Sequence, residues 1–285
     1  MPVLIVLMLG ITLYALLRVE GALDGLRYYL QPDLGKFGIK TVVAAMGQLF
    51  YSMSLAMGVM ITFGSYMSRD VNIERATRQI ELFDTGIALL AGMMIVPACF
   101  AFSGGDPEAL GAGPGLLFGV LPRIFTEMPA GELIGGAFFV MVLLAALTSS
   151  ISLMETLVST LQDKWHLRRG SCCLAVVGSS LTLGLLFCLG YSHWSGVTLW
   201  GLQIPSFFDF VTNNLMMPTV ALATCLMIAF FLKPHTVTDE IARSGGFRRK
   251  ALFTAMMRVV APLFLVIILI WAILGTFTAI PLFTL

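Results

Sequence analysis

The chain has 285 residues, of which 58% are hydrophobic and only 12% are charged, and its formal net charge is +1. Soluble domains carry about 25% charged residues, whereas this chain has a mean hydropathy of +0.92. The composition therefore excludes an ordinary soluble domain and predicts an all-α polytopic membrane protein. The near-neutral charge gives no reason to expect nucleic acid as a partner. Five cysteines without metal-ligand spacing predict neither a disulfide framework nor a zinc site.

Long apolar runs predict seven membrane helices. These cover about residues 2–19, 40–67, 79–102, 132–162, 171–191, 205–232 and 252–276. The first run lacks a basic flank and is predicted to be a membrane span rather than a signal peptide. The connections after the second, fourth and sixth spans hold eleven basic residues, against five on the other side. This excess predicts that those connections and the N-terminus lie in the cytoplasm.

The second run is organised around the stretch from Gln48 to Gly58. Two serines, an alanine and a glycine fall within seven residues there, which makes the centre of the run a poor helix. A helix that breaks in hydrocarbon must have its polar backbone groups satisfied, so such breaks line cavities and indicate binding sites. The alternative is a continuous helix whose small residues allow close packing against a neighbour.

Two outer connections follow from the same assignment. Residues 20–39 are predicted to be a short loop with about one helical turn. The glycine-rich stretch that begins at Ser103 opens a connection of about thirty residues. Connections of that length are uncommon without a functional role, which favours a gating or capping loop. A flexible loop is the alternative.

The fourth span carries small and hydroxylated residues on one helical face. Ala145, Thr148, Ser149 and Ser152 are spaced i, i+3, i+4 and i+7. Hydroxyl and carbonyl oxygens are the hard donors that a bare cation requires, so the face is a candidate cation site. Close helix packing through small residues is the alternative.

Two acidic residues lie within predicted spans. Asp84 falls near the start of the third span, and Glu155 follows Thr148 by seven residues on the same face. Ionisable groups inside membranes are costly and usually functional. Asp84 could instead lie at the interface near Arg78, and Glu155 could be protonated or paired within the bundle.

Together, several ordered motifs resemble the neurotransmitter:sodium symporter family, particularly its bacterial amino-acid transporters. The motifs are Gln48 to Gly58, Ile61 to Tyr66, Gly113 to Phe118, Leu147 to Ser152, and Phe208 to Phe210. The resemblance implies a partial LeuT-type inverted-repeat fold, in which sodium and substrate are held at the midplane between broken helices. Residues 1–39 would be the last helix of the first repeat plus an outer loop, and 40–232 a complete second five-helix repeat broken near 52–58. Residues 233–285 would form a cytoplasmic loop, a final helix and a short tail.

By the same resemblance, the seven spans match the family's fifth to eleventh helices, and the first four are absent. The family's first helix is the other broken helix and supplies much of the sodium and substrate sites. We therefore expect the chain to be the C-terminal part of a transporter and inactive alone. It would need the missing helices, or a second chain, for a full site.

The resemblance also assigns roles to single residues. The first sodium site would use Ser52 and Asp84, and the second would use the Ala145 carbonyl and the hydroxyls of Thr148 and Ser149. The substrate pocket would be lined by Tyr51, Ser54, Ala56, Met57, Ser149 and Leu153. The outer gate would include Gln48 and Asp209, and the inner gate Tyr66 and Asp163.

The implied function is sodium-coupled symport of amino acids or related small amines across the cytoplasmic membrane, by alternating access and without covalent chemistry. The chain is therefore not expected to be an enzyme. Ala56 stands where many relatives have glycine, and Met57 replaces a common aromatic residue, so the substrate stays open. Asp84 places a fixed acid beside the first sodium site, so chloride is not expected to be required. Two alternatives remain: a structural or regulatory membrane subunit, and a proton-coupled relative that uses Asp84 or Glu155.

Overall fold

The computed structural model describes residues 2–35, 37–68, 70–104, 113–245, 247 and 249–277. Its described elements are helices and one short hairpin. The first half contains α1 (Pro2–Arg18), α2 (Ala22–Leu30), α3 (Ile39–Ser52), α4 (Val59–Tyr66), α5 (Ile73–Phe102), α6 (Gly113–Gly115), π1 (Leu116–Val120) and α7 (Leu121–Glu127). The second half contains α8 (Gly131–Trp165), α9 (Arg169–Tyr191), β1 (Thr198–Leu199), β2 (Leu202–Gln203), α10 (Ile204–Asp209), π2 (Phe210–Met216), α11 (Met217–Leu226), π3 (Met227–Leu232), α12 (Pro234–Ser244), α13 (Lys250–Ala255), π4 (Met256–Val260) and α14 (Ala261–Phe277).

Among the described residues, five helices are long and apolar enough to cross a membrane, judged by length and composition. They are Ile73–Phe102, Gly131–Trp165, Arg169–Tyr191, Ile204–Leu232 and Lys250–Leu274. These coincide with five of the seven predicted spans. The first predicted span is α1, which is followed by α2 at a bend of 120°. The remaining one, residues 40–67, is divided between α3 and α4.

Two predicted boundaries were wrong. The loop over residues 20–39 contains the nine-residue helix α2 rather than one turn. This helix is held against α5, since Gly25 lies against Pro97 and the ring of Tyr28 stacks on Phe100 with centroids 5.2 Å apart.

The third span begins at Ile73 rather than residue 79. Its first turns are charged and carry no hydropathy signal, but the Asn72 side chain caps them by accepting the Arg75 N–H at 2.9 Å.

The Cα positions group into two compact units, which are described separately. The first comprises the residues up to Ile39 together with Gln79–Ser150. Its core is formed by apolar side chains from α1, α5, α7 and α8. The buried members are Leu4, Met8, Ile11, Met94, Ala98, Cys99, Leu121, Ile124, Phe125, Met128, Ile134, Phe138 and Met141.

The predicted gating or capping connection falls in this first unit. Residues 105–112 of it lie outside the described residues, but the part from Gly113 to Glu127 is helical. Leu121 and Phe125 from α7 are buried in the core, and the Phe125 ring meets that of Phe138 with centroids 5.3 Å apart. This part is therefore packed against the spans and is not a loose loop.

The second unit comprises Lys40–Arg78 and the described residues from Ile151 onward. One of its clusters joins α11 to α14 through Ala221, Cys225 and Leu265, with Phe50 and Ala56 packed against it. Another joins α8 to α9 through Val158, Cys172 and Val176. The interrupted helix α3–α4 thus belongs to the same unit as the last two spans.

The contact between α7 and α8 depends on a glycine. A Cβ atom at Gly131 would lie 1.5 Å from the Phe125 carbonyl oxygen, whereas one at Gly136 would meet nothing within 4 Å. We expect Gly131→Ala to lower the free energy of unfolding by about 1 to 3 kcal/mol, because α8 must shift away from the Phe125 carbonyl. Gly136→Ala should be neutral or stabilise by up to about 1 kcal/mol through helix propensity. Unfolding of both variants in detergent measures this, and equal effects would contradict the packing described.

Candidate functional site

The helix predicted to break is interrupted. Helix α3 ends at Ser52, α4 begins at Val59, and six residues of turn separate them. Three of these residues have left-handed backbone: Ser54 at φ 51°, Ala56 at φ 64° and Gly58 at φ 80°. For residues with a Cβ this conformation costs roughly 1 to 2 kcal/mol each. Such strain persists only when the surroundings hold the chain in place, and it concentrates at functional sites.

Neighbouring helices of the second unit hold the break in place. A Cβ at Gly58 would lie 3.1 Å from the Thr156 methyl group, so α8 packs directly against the end of the break. The Thr156 side chain is buried and donates its hydroxyl proton to the Ser152 carbonyl at 3.0 Å. Ala56 packs against the cluster between α11 and α14. The break is therefore braced on both sides by its own unit.

The predicted substrate residues of this unit differ in exposure. Ser54, Ala56 and Met57, within the break, are half-buried. Tyr51, on the last turn of α3, and Leu153, on α8, expose 52% and 44% of their surface. Tyr51 therefore presents open aromatic surface directly before the interruption, and Leu153 presents open apolar surface on α8.

The predicted cation ligands of the first unit lie on one face of α8. The Thr148 hydroxyl donates to the Ala145 carbonyl at 2.8 Å, and Ser149 is exposed beside it. A hydroxyl that donates its proton to a carbonyl keeps its own lone pairs available to accept a cation. One carbonyl and two hydroxyls are thus concentrated within about one helical turn.

The two members of the predicted first sodium site lie in different units. Ser52 is the exposed last residue of α3 in the second unit, and Asp84 is half-buried on α5 in the first. Because α5 begins at Ile73, Asp84 lies about three turns inside the helix rather than near its start. The joint role of these two residues stays a prediction.

The predicted gate residues are spread along the helices. Gln48 is exposed on α3, one turn before Ser52. Asp209 ends α10 and accepts a hydrogen bond from the Asn213 side-chain amide at 2.7 Å. Asp163 is exposed near the end of α8, and no ion pair joins it to another described residue.

The second unit contains a polar network around Glu155. The sequence allowed a paired Glu155 as one alternative but did not identify its partners. The Tyr66 hydroxyl donates to Glu155 Oε1 at 2.8 Å. Arg169 binds the same carboxylate through both of its terminal nitrogens, Nη1 at 3.1 Å from Oε1 and Nη2 at Oε2. The Glu155 side chain is only 18% exposed. The network ties the end of α4 and the beginning of α9 to Glu155 within α8, and it agrees with the paired alternative for Glu155.

The described part of the chain is mostly helical, with long apolar spans and one apolar run interrupted by left-handed residues. Discontinuous helices of this kind are typical of membrane transporters. The family model described as the sodium:neurotransmitter symporter family matches residues 1–280. The chain therefore belongs to this family, as the ordered motifs predicted.

Two individual relatives support the same family assignment. The chain is 32% identical over 275 residues to an uncharacterised sodium-dependent transporter of Haemophilus influenzae, covering 95% of this chain and 58% of the relative. It is 33% identical over 271 residues to an uncharacterised sodium-dependent transporter of Bacillus subtilis, covering 94% of this chain and 59% of the relative. Both relatives are named transporters, not enzymes.

A solved structure supports the same assignment at the level of the fold. The crystal structure of MhsT in complex with L-phenylalanine matches with a TM-score of 0.82 and 32% identity, over 95% of this chain and 60% of that one. The chain thus has part of the fold of a LeuT-type transporter. The chain spans about three fifths of the length of the two bacterial relatives described above.

The Glu155–Arg169 pair can be compared with a second ion pair of the same chain. Arg243 and Glu240 are 2.8 Å apart on α12 and expose 78% and 58% of their side chains. Since Glu155 is much less exposed and also accepts from Tyr66, we expect a larger coupling free energy for Glu155 with Arg169. Double-mutant cycles with glutamine at each position measure both pairs through stability in detergent. Equal couplings, equally weakened by salt, would show that the network is only a surface contact.

Proposed function

We propose that the chain contributes the second repeat to a sodium-coupled symporter of amino acids. The observation that carries this proposal is the interruption at residues 53–58, where left-handed backbone stands in the middle of an apolar run. Carbonyl and amide groups that leave a helix at such depth need partners. A bound cation satisfies carbonyl oxygens, and the carboxylate of an amino acid satisfies N–H groups.

Sodium is the proposed coupling ion because the available donors are hard and mostly neutral. The Ala145 carbonyl and the hydroxyls of Thr148 and Ser149 form one partial ligand set, whose geometry on α8 is supported by the 2.8 Å bond from Thr148 to Ala145. That set belongs to the second sodium site, and Ser52 and Asp84 are proposed as ligands in the first. The names of the bacterial relatives, both sodium-dependent transporters, support this ion.

An amino acid is the proposed substrate class. MhsT, with which the chain shares its fold at 32% identity, was solved in complex with L-phenylalanine. In this chain the proposed pocket is formed by Tyr51, Ser54, Ala56, Met57, Ser149 and Leu153. Tyr51 would cover the bound side chain, and Met57 supplies a flexible apolar wall.

The proposed mechanism is alternating access across the cytoplasmic membrane, with the N-terminus inside. Sodium binding favours the conformation that binds the amino acid, so sodium and substrate each raise the affinity for the other. The membrane potential contributes about 2.3 kcal/mol per charge per 100 mV. Gln48 and Asp209 are proposed to close the outer side, and Tyr66 and Asp163 the inner side. Glu155 and Arg169 hold Tyr66 in position for that role.

The 285 residues alone are proposed not to transport. By resemblance, the remaining ligands for sodium and for the substrate carboxylate belong to the family's first helix. The sharpest assay therefore compares the chain alone with the chain produced together with the first four helices of the Bacillus subtilis relative.

Thr148 provides the test of the sodium site. In the two-part complex, we expect Thr148→Val to weaken sodium activation of amino-acid binding about tenfold or more, because an oxygen ligand is lost while the side-chain volume is kept. Ser150→Ala is the matched control, since its hydroxyl donates to the Leu147 carbonyl at 2.9 Å in the same way but is no proposed ligand. Binding of labelled amino acids over a sodium titration measures both.

The outcomes separate the competing functions. Sodium-independent binding that follows pH would favour a proton-coupled relative. No binding by the complex, under conditions where the two parts purify together, would favour a structural or regulatory subunit. Binding by the 285 residues alone would contradict the proposal that they are inactive by themselves.

Chloride dependence gives a further prediction. Because Asp84 supplies a fixed negative charge near the proposed first sodium site, no anion should be needed to balance the ion. We expect uptake by the complex to stay within about twofold when gluconate replaces chloride, a change well below 1 kcal/mol. A large fall in uptake would show that Asp84 does not serve as the counter-charge.

A further inference from the structure

An arginine lies well inside the last membrane span. The span runs from Lys250 to Leu274, so Arg258 is eight residues, or about 12 Å, from its beginning. The side chain is exposed. Within the part of the chain that the structure describes, it has no ion pair or hydrogen bond with another residue.

The surface around this arginine is apolar. Leu252, Met256 and Val259 expose 51%, 44% and 63% of their surface, so the outer face of α13 and π4 is suited to hydrocarbon. A guanidinium group at this depth is costly unless it reaches polar groups at the membrane surface. An arginine side chain is long enough to extend its charge towards the interface along an apolar surface.

The nearest end of the span is strongly basic. Residues 233–258 contain six basic and two acidic residues. Both acids are already engaged, Asp239 with Lys250 at 3.8 Å and Glu240 with Arg243 at 2.8 Å. Among the described side chains of this segment, Lys233, Arg249 and Arg258 keep positive charge that no carboxylate balances.

The packing of the last two spans brings these charges to the same end. The Cys225 thiol donates to the Met257 carbonyl at 3.3 Å, and π3 contacts π4. Since the two spans run in opposite directions, the end of π3 at Leu232 lies beside the beginning of α13. Lys233 and Arg249 therefore lie at the end of these two spans that is nearer to Arg258.

We propose that an anionic phospholipid binds at this end of the last two spans, with its phosphate held by Arg258, Lys233 and Arg249 and its acyl chains on the apolar face of α13 and π4. Clusters of basic residues beside a membrane span attract anionic headgroups, and a guanidinium group can bind a phosphate through two nitrogens. The proposal rests on membrane insertion and does not depend on sodium or substrate binding. Its failure is therefore distinct from failure of the proposed transport function.

The test uses the purified 285-residue chain, stripped of lipid and titrated with dioleoylphosphatidylglycerol or dioleoylphosphatidylcholine. Native mass spectrometry counts the lipids retained. We expect the phosphatidylglycerol to bind at least about tenfold more tightly, and Arg258→Gln to weaken it about fivefold, the effect of one basic residue near an anionic surface. Arg258→Lys should keep most of the affinity.

Arg243→Gln is the matched control, because that guanidinium is already paired with Glu240 and is 78% exposed. It should leave binding unchanged. Equal binding of the two lipids, equal effects of Arg243→Gln and Arg258→Gln, or displacement of the lipid by millimolar inorganic phosphate would overturn the proposal. The proposal would also be overturned if the chain formed a dimer and Arg258→Gln dissociated it, because Arg258 would then bind a second copy of the chain. If Arg258→Gln fails to fold, the lipid comparison with the unchanged chain and with Arg258→Lys still decides.

Discussion

The main constraint on this structure is the interruption of one apolar membrane segment between α3 and α4. Within residues 53–58, the first three N–H groups still donate to carbonyls of α3, whereas the last three donate to no described residue. Each polar backbone group left unsatisfied in hydrocarbon costs several kcal/mol. The chain adds left-handed backbone at Ser54 and Ala56, which raises the cost further. An interruption of this kind is maintained only where surrounding helices, ions or a substrate supply compensating interactions.

Part of that compensation comes from packing. Thr156 lies against Gly58, and Ala56 packs on the cluster formed by Ala221, Cys225 and Leu265. A few residues further on, Tyr66 is tied through Glu155 to Arg169. The turn is thus held at Ala56 and Gly58, and the helix that follows it is held at Tyr66. Among the described residues, the N–H groups of Ala56, Met57 and Gly58 have no hydrogen-bond partner. A rigid frame around a few such groups is what a binding site for a small zwitterion and a cation requires.

The sequence predicted the elements with a strong local signal. Hydropathy located the long spans, and the small residues from Ser52 to Gly58 located the break. It misplaced the start of α5, because residues 73–78 are charged and only the cap at Asn72 marks the beginning of the helix. It proposed pairing for Glu155 without finding Arg169, which lies fourteen residues away on the next helix. Partners of that kind follow from the angle between helices, which periodicity does not encode. The roles of single residues came from resemblance to the family, and they stay proposals.

The most direct test of the central claim is amide hydrogen exchange at residues 56–58, whose N–H groups have no partner among the described residues. It is measured with the chain and the first four helices of the Bacillus subtilis relative together. If the interruption is a ligand site, exchange there should be fast without ligand. It should slow about tenfold or more when sodium and an amino acid are added together, while α9 stays unchanged. Exchange as slow as in α3 and α4, whatever is added, would show a continuous helix and contradict the account.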